Sequence, residues 1–494
     1  MRAVFALTVL AALLRFARIG HQGFWFDEGN TALLVHLSPG KMLGLIPQSE
    51  STPPLYYCVL WVWARAFGFG EAALRSFSAL AGVAVVPVAY GAARKLISER
   101  AGVIAAALTA CNPLLIWYSQ EARSYELLVL LGGLSLLAFA YVLQAPGRRA
   151  AACWVIASAL ALATHYYAFL VVAPEAVWLL VVHRRRRPVQ VGVLLVALAG
   201  LALIPLALSQ NGTGNANWIG RIALAPRLGQ LLPQFLIGFG APAQTLLERL
   251  SEAIVIVALV LLAVRSDAVQ RRGALLAGAI VAVGLVLNLL LVAGGVDDLI
   301  TRNVIGLWVP SAVLVAGGLA APPLRSRAGL AGAAAAAGLC VIGCVAAVAV
   351  AVDRKLERPD WRAVAHVLGP RPTGGAERVI LIQEYRTLLP LSLYMRGLSF
   401  WRHQPAVTAS EIDVVSIGAP RVKLCWWGAA CNLTPSRIQG AYAIPGFREV
   451  SSRRAYQFTV ARLVSSLPVR LTHQLVAGAL TATTLAHDGL ILQR

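Results

Sequence analysis

The sequence predicts an all-α polytopic membrane domain, with about eleven transmembrane helices and additional interfacial helices, followed by a small α/β domain. Of the 494 residues, 58% are hydrophobic and only 13% are charged, and the mean hydropathy is +0.71. Soluble domains carry about 25% charged residues. The apolar residues also fall in runs long enough to cross a bilayer, and the composition becomes mixed and polar from Asp353 onward. These observations exclude an ordinary soluble enzyme, a disordered chain and a disulfide scaffold.

Eleven apolar runs predict the transmembrane helices, because a span needs about 20 apolar residues. The first run has no small-residue cleavage site behind it, so we expect a retained anchor rather than a signal peptide. The runs lie near 3–19, 72–93, 101–118, 124–144, 150–164, 167–183, 189–209, 252–264, 273–294, 304–321 and 328–352.

Residues 53–69 are apolar but aromatic-rich and are interrupted by Arg65. This composition is typical of a helix that lies in the membrane surface. With that helix lying flat, five short loops share one side of the membrane, and they hold 14 Lys and Arg residues. The positive-inside rule then predicts a cytoplasmic N-terminus and an outside C-terminal domain, in the cytoplasmic (plasma) membrane. The five loops are 94–100, 145–149, 184–188, 265–272 and 322–327.

These loops also explain the formal charge of +21, from 43 Lys and Arg against 22 acids. Topogenic charge of this kind does not indicate nucleic-acid binding. Of the seven cysteines, only Cys425 and Cys431 lie close together in a polar region, where they could close a small disulfide loop. The spacing of Cys and His does not resemble a zinc site.

Three segments are predicted along the chain. Residues 1–352 form the membrane domain, with 20–71 as its first outside loop, and 353–465 form an extracytoplasmic α/β domain. That domain has strand-like stretches at 379–382 and 414–417 and a helix from Trp361 to Leu368, for which Asp360 is a suitable N-cap. The tail 466–494 is weakly patterned, and its role is unknown.

Ionisable groups recur at each predicted outside turn. Asp27 and Glu28 follow three aromatic residues just beyond the first run, where they could either act on a lipid headgroup or cap a helix. Solvated charge, ion pairing or a hydrogen-bonded histidine would explain each turn taken singly. Taken together, the turns suit a site for a phosphate-bearing lipid and a polar acceptor. The other candidates are Glu121, Arg123 and Tyr125 in one turn, His165 in a second, Arg302 in a third and Tyr56 beside the interfacial run.

The chain resembles the polytopic C-type (GT-C fold) glycosyltransferases, specifically the bacterial relatives of protein O-mannosyltransferases and of the aminoarabinose transferase that modifies lipid A. The likeness covers the order of elements over most of residues 1–465. Its motifs are the Asp27-Glu28 pair, the stretch from Thr52 to Tyr57, the turn from Ser119 to Tyr125, Arg302 before a late span, and Asp360-Trp361-Arg362.

The resemblance implies transfer of a mannose or arabinose-like sugar from a polyprenyl phosphate to an acceptor hydroxyl outside the membrane, with inversion. Asp27 would be the catalytic base, and Glu28 would position the acceptor. Arg302 and Arg123 would hold the donor phosphate. The acceptor could be a protein, a lipid or a polysaccharide. The pocket would be completed by His165, Glu121, Tyr125 and Tyr56.

This sequence departs from the family at three places. Thr52 stands where many relatives have His or Lys, Asn303 where many have Tyr, and the acids of the 119–126 turn are Glu rather than Asp. These departures bear on the sugar and the acceptor more than on the reaction class. Metal use varies among such enzymes, so a divalent metal is a possible cofactor, although the sequence provides no clear metal site.

Two other classes remain open. A lipid or glycan transporter or flippase would place polar groups near the bilayer midplane, often with internal repeats. A non-catalytic assembly protein would use the C-terminal domain for binding and would have no need of Asp27. The clustering of ionisable groups at one face favours the transferase.

Overall fold

The computed structural model describes residues 1–353, 357–370, 377–382, 388–401, 404–417, 442, 444–455, 458–479 and 490–494. The chain divides into two compact units. Unit 1 consists of Met1–Ile19 and Leu34–Val350, and unit 2 consists of Gly20–Leu33 and Ala351–Arg494. Unit 1 is helical and unit 2 contains a sheet, so the predicted fold class is confirmed. The pair Cys425 and Cys431 lies outside the described residues.

The first sixteen α-helices, apart from most of α2, account for nearly all of unit 1. They are joined by two short 3-10 helices, Tyr166–Ala168 and Ile305–Leu307. The α-helices are α1 (Arg2–Phe16), α2 (Phe26–His36), α3 (Pro39–Ser49), α4 (Leu55–Phe67), α5 (Glu71–Leu96), α6 (Glu99–Cys111), α7 (Pro113–Ser119), α8 (Tyr125–Gln144), α9 (Arg148–Thr164), α10 (Phe169–His183), α11 (Arg187–Asn211), α12 (Leu224–Ile237), α13 (Gln244–Arg265), α14 (Ala268–Ala293), α15 (Trp308–Ala320) and α16 (Arg327–Val352).

Every predicted apolar run is helical, but the predicted count of eleven spans is too high. Among the described residues, six helices are long and apolar enough to cross a membrane, or seven if α6 and α7, bent by 56°, form one broken span. The runs at α1, α9 and α15 form helices of 13 to 17 residues, about 20–25 Å at 1.5 Å per residue, below the roughly 30 Å of the hydrocarbon core. Helix α13 is long enough but carries Glu248, Arg249 and Glu252. The chain is a multi-pass membrane protein.

The break between α6 and α7 follows from the sequence Asn112-Pro113. The Asn112 side chain accepts a hydrogen bond from the Leu115 amide, and Pro113 opens α7, where its missing N–H is not needed. Arg15 at the end of α1 donates to the carbonyls of Thr109 and Ala110, which lie in the last turn of α6. The break is therefore built into the helix packing rather than being a flexible point.

Contacts within unit 1 bring the five Arg-rich loops to one end of the bundle. Arg100 donates to the carbonyl of Gly329 at 2.7 Å and to that of Pro322, joining the loops 94–100 and 322–327. His183, before the loop 184–188, bonds the carbonyl of Leu143, before 145–149, at 3.1 Å. A Cβ on Gly273 would lie 2.0 Å from the Leu96 carbonyl oxygen. The first turns of α14, which follow the loop 265–272, therefore pack against the loop 94–100. The structure thus supports one shared face for these loops.

Unit 2 is built on a six-stranded sheet with the order β2-β6-β1-β3-β5-β4. Its strands are β1 (Glu377–Ile382), β2 (Leu398–Phe400), β3 (Ala406–Ile417), β4 (Arg448–Ala455), β5 (Phe458–Thr472) and β6 (Leu490–Gln493). Helix α17 (Trp361–Leu368) precedes β1, α18 (Leu388–Tyr394) lies between β1 and β2, and α19 (His473–Ala479) lies between β5 and β6. The predicted helix and both strands are present, and the Asp360 side chain accepts from the Ala363 amide as the N-cap.

The tail 466–494, for which the sequence alone provided no role, contributes to this sheet. Strand β5 continues to Thr472, and β6 pairs antiparallel with both β1 and β2. The weak patterning has a physical cause, because an interior strand as short as Leu490–Gln493 is buried on all four residues and shows no alternation.

Candidate functional site

The 119–126 turn presents Arg123 in a buried ion pair. Its Nη1 lies 2.9 and 3.1 Å from the two carboxylate oxygens of Glu50. The exposed fractions of the two side chains are 9% and 2%. A buried pair of this kind strongly restricts both side chains, because separating them would leave a desolvated charge without its partner.

Tyr56 supports this pair from behind. The Ser78 hydroxyl donates to the Arg123 carbonyl at 3.2 Å, and the Tyr56 hydroxyl lies 3.0 Å from the same Ser78 oxygen. Tyr56 is fully buried. In this structure, therefore, the tyrosine predicted to contact substrate holds the backbone of Arg123 in place.

The residues that depart from the family pattern make local contacts. The Thr52 hydroxyl lies 3.0 Å from the hydroxyl of Tyr57, and its carbonyl accepts from Gln210 at 3.1 Å. Asn303 donates through Nδ2 to the carbonyl of Asp298 at 2.7 Å. Both side chains therefore stabilise the loops that carry the charged residues.

His165 occupies the end of α9, and its exposed fraction is 2%. Burial, followed by the charges of Arg123 and Arg302, lowers its pKa to about 3. Its Nδ1 accepts a hydrogen bond from the Tyr167 amide at 3.3 Å. The ring is therefore neutral at physiological pH, and its proton lies on Nε2, which makes it a hydrogen-bond donor without charge.

Tyr125 and Glu121 lie in the same part of unit 1. The Tyr125 ring lies 5.9 Å from the His165 ring and 4.7 Å from that of Tyr118, measured between centroids. Glu121 has an exposed fraction of 1%. Both residues are thus buried, and Tyr125 lies beside the histidine.

Arg302 is half-buried, and its guanidinium carbon lies 5.5 Å from the centroid of the Trp218 ring. The preceding turn is held by helix α12, because Arg227 bonds both carboxylate oxygens of Asp297 at 2.7 Å. Burial raises the pKa of Asp298. Two arginines therefore lower the pKa of His165 by their charge. Arg123 is buried in an ion pair, and Arg302 is half-buried.

Asp27 and Glu28 lie in unit 2, in the first turn of α2. Asp27 is partly exposed, whereas Glu28 is fully buried. The loop before them is tied to the C-terminal domain, since the Phe24 amide donates to the Tyr394 hydroxyl at 2.7 Å and Arg362 donates to the carbonyl of His21. The loop predicted as part of the membrane domain is therefore built together with the sheet domain.

An apolar cavity of about 440 Å³ lies within unit 1. Val304 and Leu307, just after Arg302, belong to its wall, as do five apolar side chains of α12 and several from α14 and α15. Cavities of this size hold small apolar ligands or parts of larger ones. From α12, α14 and α15, the wall includes Leu228, Leu231, Leu232, Phe235, Leu285, Trp308 and Val315.

In the part of the chain that the structure describes, no group of three or more His, Cys, Asp or Glu side chains is arranged to hold a metal ion.

Three residues of this region were not recognised as site residues from the sequence: Glu50, Trp218 and Arg227. Glu50 is an isolated acid before the Thr52-Pro53-Pro54 stretch, and its charge is opposite to that of Arg123. Arg227 lies in a predicted outside loop, where the positive-inside rule disfavours cations. An arginine placed against that rule was the signal available in the sequence.

Comparison with known proteins supports the resemblance seen in the sequence. Residues 51–208 match the family model described as dolichyl-phosphate-mannose-protein mannosyltransferase. Curated protein sequences provide no significant match.

Solved structures match over nearly the whole chain. ArnT from Cupriavidus metallidurans bound to undecaprenyl phosphate aligns with a TM-score of 0.56 and 15% identity, over 93% of this chain and 97% of that chain. Its apo form aligns with the same TM-score and coverage at 14% identity. The oligosaccharyltransferase of Archaeoglobus fulgidus, in complex with zinc and sulfate, aligns at 0.49 and 12% identity, over 97% and 76% of the two chains.

The family model matches residues 51–208, and the alignments with ArnT show the fold of the chain. The predicted resemblance is confirmed, and the chain has the GT-C fold.

Proposed function

We propose that this protein transfers a sugar from a polyprenyl phosphate to an acceptor hydroxyl. The observation that carries the proposal is that Arg302 and the buried Arg123 both act on neutral His165, and that the wall of an apolar cavity includes Val304, two residues after Arg302. This arrangement suits an amphiphile that has a phosphate head and a hydrocarbon chain. The ArnT neighbour is bound to such a lipid, undecaprenyl phosphate.

Arg302 is the residue that we assign to the donor phosphate. Its planar fork matches phosphate oxygens, and it is more exposed than Arg123, which is paired with Glu50. Arg123 contributes its positive field, and His165 can donate a hydrogen bond from Nε2. These groups would stabilise the charge that develops on the phosphate as the glycosidic bond breaks.

The hydrocarbon chain of the donor is assigned to the apolar cavity. Val304 joins the two parts of the site, since it lines the cavity and lies two residues after Arg302. Isoprenoid units within the cavity would gain van der Waals contacts with its apolar wall.

Asp27 is the proposed general base. It would take the proton of the acceptor hydroxyl while that oxygen attacks the anomeric carbon, and the polyprenyl phosphate would leave from the opposite face. A β-linked donor would thus yield an α-linked product. Glu28 is fully buried, so we assign it a supporting role through the start of α2 rather than direct contact with the acceptor.

The sugar is proposed to be mannose, for which the matching family is named, or an arabinose-like sugar, as the resemblance of the sequence implies. The reaction is placed on the outer side of the cytoplasmic membrane, with the N-terminus inside and the C-terminal domain outside. The acceptor class is a protein, a lipid or a polysaccharide.

The test is transfer of radiolabelled sugar from polyprenyl phosphate donors, in membranes that contain equal amounts of each variant. Wild type and Asp267→Asn, a matched change at another exposed aspartate, should label an acceptor. Asp27→Asn should lose about 100-fold or more, as expected for a general base.

Equal transfer by Asp27→Asn would remove the base assignment and leave the reaction class. Failure of wild type with every donor, together with lipid scrambling in vesicles, would favour the transporter instead.

A further inference from the structure

Helix α12 has two faces with different partners. Arg227 and Gln234, seven residues apart, lie on one face. Arg227 bonds Asp297, and Gln234 accepts from the Thr301 hydroxyl. The other face presents Leu228, Leu231, Leu232 and Phe235 to the apolar cavity, at the spacing of one helical stripe.

Arg227 is the strongest of these attachments. Its side chain is 3% exposed. Besides both oxygens of Asp297, it bonds the carbonyls of Leu299 at 3.0 Å and Ile222 at 2.9 Å. A guanidinium with this many buried acceptors cannot shift without breaking several charge-assisted hydrogen bonds.

Both sides of Arg302 in the chain are therefore attached to α12 or to the cavity that it lines. The residues before it, Asp297 to Thr301, bond the polar face of α12. The residues after it, Val304 and Leu307, lie in the wall of the same cavity as the apolar face of α12. A change in the packing of α12 would reach Arg302 from both directions.

We propose that Arg227 is a positioning residue that couples filling of the apolar cavity by an isoprenoid chain to the placement of Arg302. This inference rests on the proposed function and adds a selection for long-chain donors. An empty cavity leaves the leucine face of α12 without packing partners, and a chain within it supplies them. Through the Arg227–Asp297 pair, the ordered helix α12 holds the turn before Arg302 in place. Arg302 therefore adds less to the binding affinity of a short-chain phosphate than to that of a long-chain phosphate.

The experiment measures the affinity of the full-length protein in nanodiscs for two probes, undecaprenyl phosphate and a two-isoprene phosphate, by tryptophan fluorescence. The affinity for each probe is measured in three proteins: wild type, Asp297→Asn and Arg221→Gln. Each of these proteins is measured both with Arg302 intact and with the additional substitution Arg302→Gln. Asp297 is 28% exposed in its side chain, so its isosteric replacement is expected to fold. Arg221 is an exposed arginine of the same segment and serves as the matched control.

In wild type, Arg302→Gln should weaken binding of the long-chain probe at least about fivefold more than that of the short-chain probe, the lower end of typical coupling between sites. In Asp297→Asn the two losses should become equal, and in Arg221→Gln they should remain as in wild type. Arg227→Lys, which keeps the charge and loses the fork, should behave like Asp297→Asn.

Three results would overturn the inference. If the difference between probes persists in Asp297→Asn, the pair does not couple the two sites, although the proposed function stands. If wild type shows no preference for the long chain, the cavity is not the chain site. If wild type does not bind undecaprenyl phosphate, the proposed function fails and the coupling fails with it.

Discussion

At the scale of single residues, the Glu50–Arg123 pair is the most constrained feature of the site. We expect Glu50→Gln to destabilise the protein by about 3–5 kcal/mol, because it leaves the buried Arg123 charge without its partner. Glu252→Gln is the control, since its partner Arg249 is 77% exposed and exposed pairs contribute about 0–1 kcal/mol. Thermal unfolding in detergent measures both. Equal melting temperatures for the two variants would contradict the buried-pair reading.

The burial of His165 predicts a pH dependence of the protein's stability. Its pKa in the folded protein is about 3, below the ordinary 6.5, chiefly because of burial. Between these values the unfolded chain binds a proton that the folded protein does not. The free energy of unfolding is therefore unaffected by His165 above pH 6.5. As the pH falls from 6.5 toward 3, proton binding to this residue in the unfolded chain lowers that free energy by about 1.4 kcal/mol per pH unit.

His165→Gln cannot titrate, so this part of the acid sensitivity should disappear. The melting temperature of wild type should fall more than that of the variant between pH 7 and pH 4.5. Parallel curves would show that the ring does not resist protonation in the folded state.

At the scale of elements, close helix contacts depend on particular glycines. A Cβ on Gly318 of α15 would lie 2.0 Å from the carbonyl oxygen of Ala258 in α13. We expect Gly318→Ala to separate these helices and to destabilise the protein by about 1–3 kcal/mol.

Gly338→Ala in α16 is the matched control for that substitution. Its nearest neighbour would be Ile254 Cδ1 at 3.5 Å, an ordinary contact. Alanine also favours a helix over glycine by about 1 kcal/mol, so this variant should melt at or above the wild-type temperature. A lower melting temperature for Gly338→Ala than for Gly318→Ala would reverse the packing argument.

At the scale of the whole molecule, the Arg-rich loops at one end of unit 1 predict the orientation in the membrane. A reporter enzyme that is active only outside the cytoplasm should be inactive when fused after Arg186 and active when fused after Arg494. The reverse pattern would place the sheet domain in the cytoplasm and would require transfer on the opposite side of the membrane.

The local elements follow directly from the sequence. Apolar runs predicted the helices that they cover, whereas α12 lies in a segment predicted to be an outside loop. Asp360 and the runs at 379–382 and 414–417 predicted a helix and two strands of the sheet domain. The predicted lengths of the transmembrane helices were wrong, because the boundaries of an apolar run do not show where its helix bends or ends. Asn112-Pro113 breaks one span, and helices such as α1 are shorter than a bilayer requires.

By itself, then, the sequence determined the membrane class and the sheet domain and supplied the residue types that we propose for a phosphate-binding site, since composition and local periodicity are carried by neighbours in the chain. Only the tertiary structure decided that Glu50 engages Arg123, that Arg227 holds the turn before Arg302, and that residues 490–493 form an interior strand. These contacts join residues 70 or more positions apart. A pairing at such separation depends on how the helices and strands pack, and no local pattern specifies it.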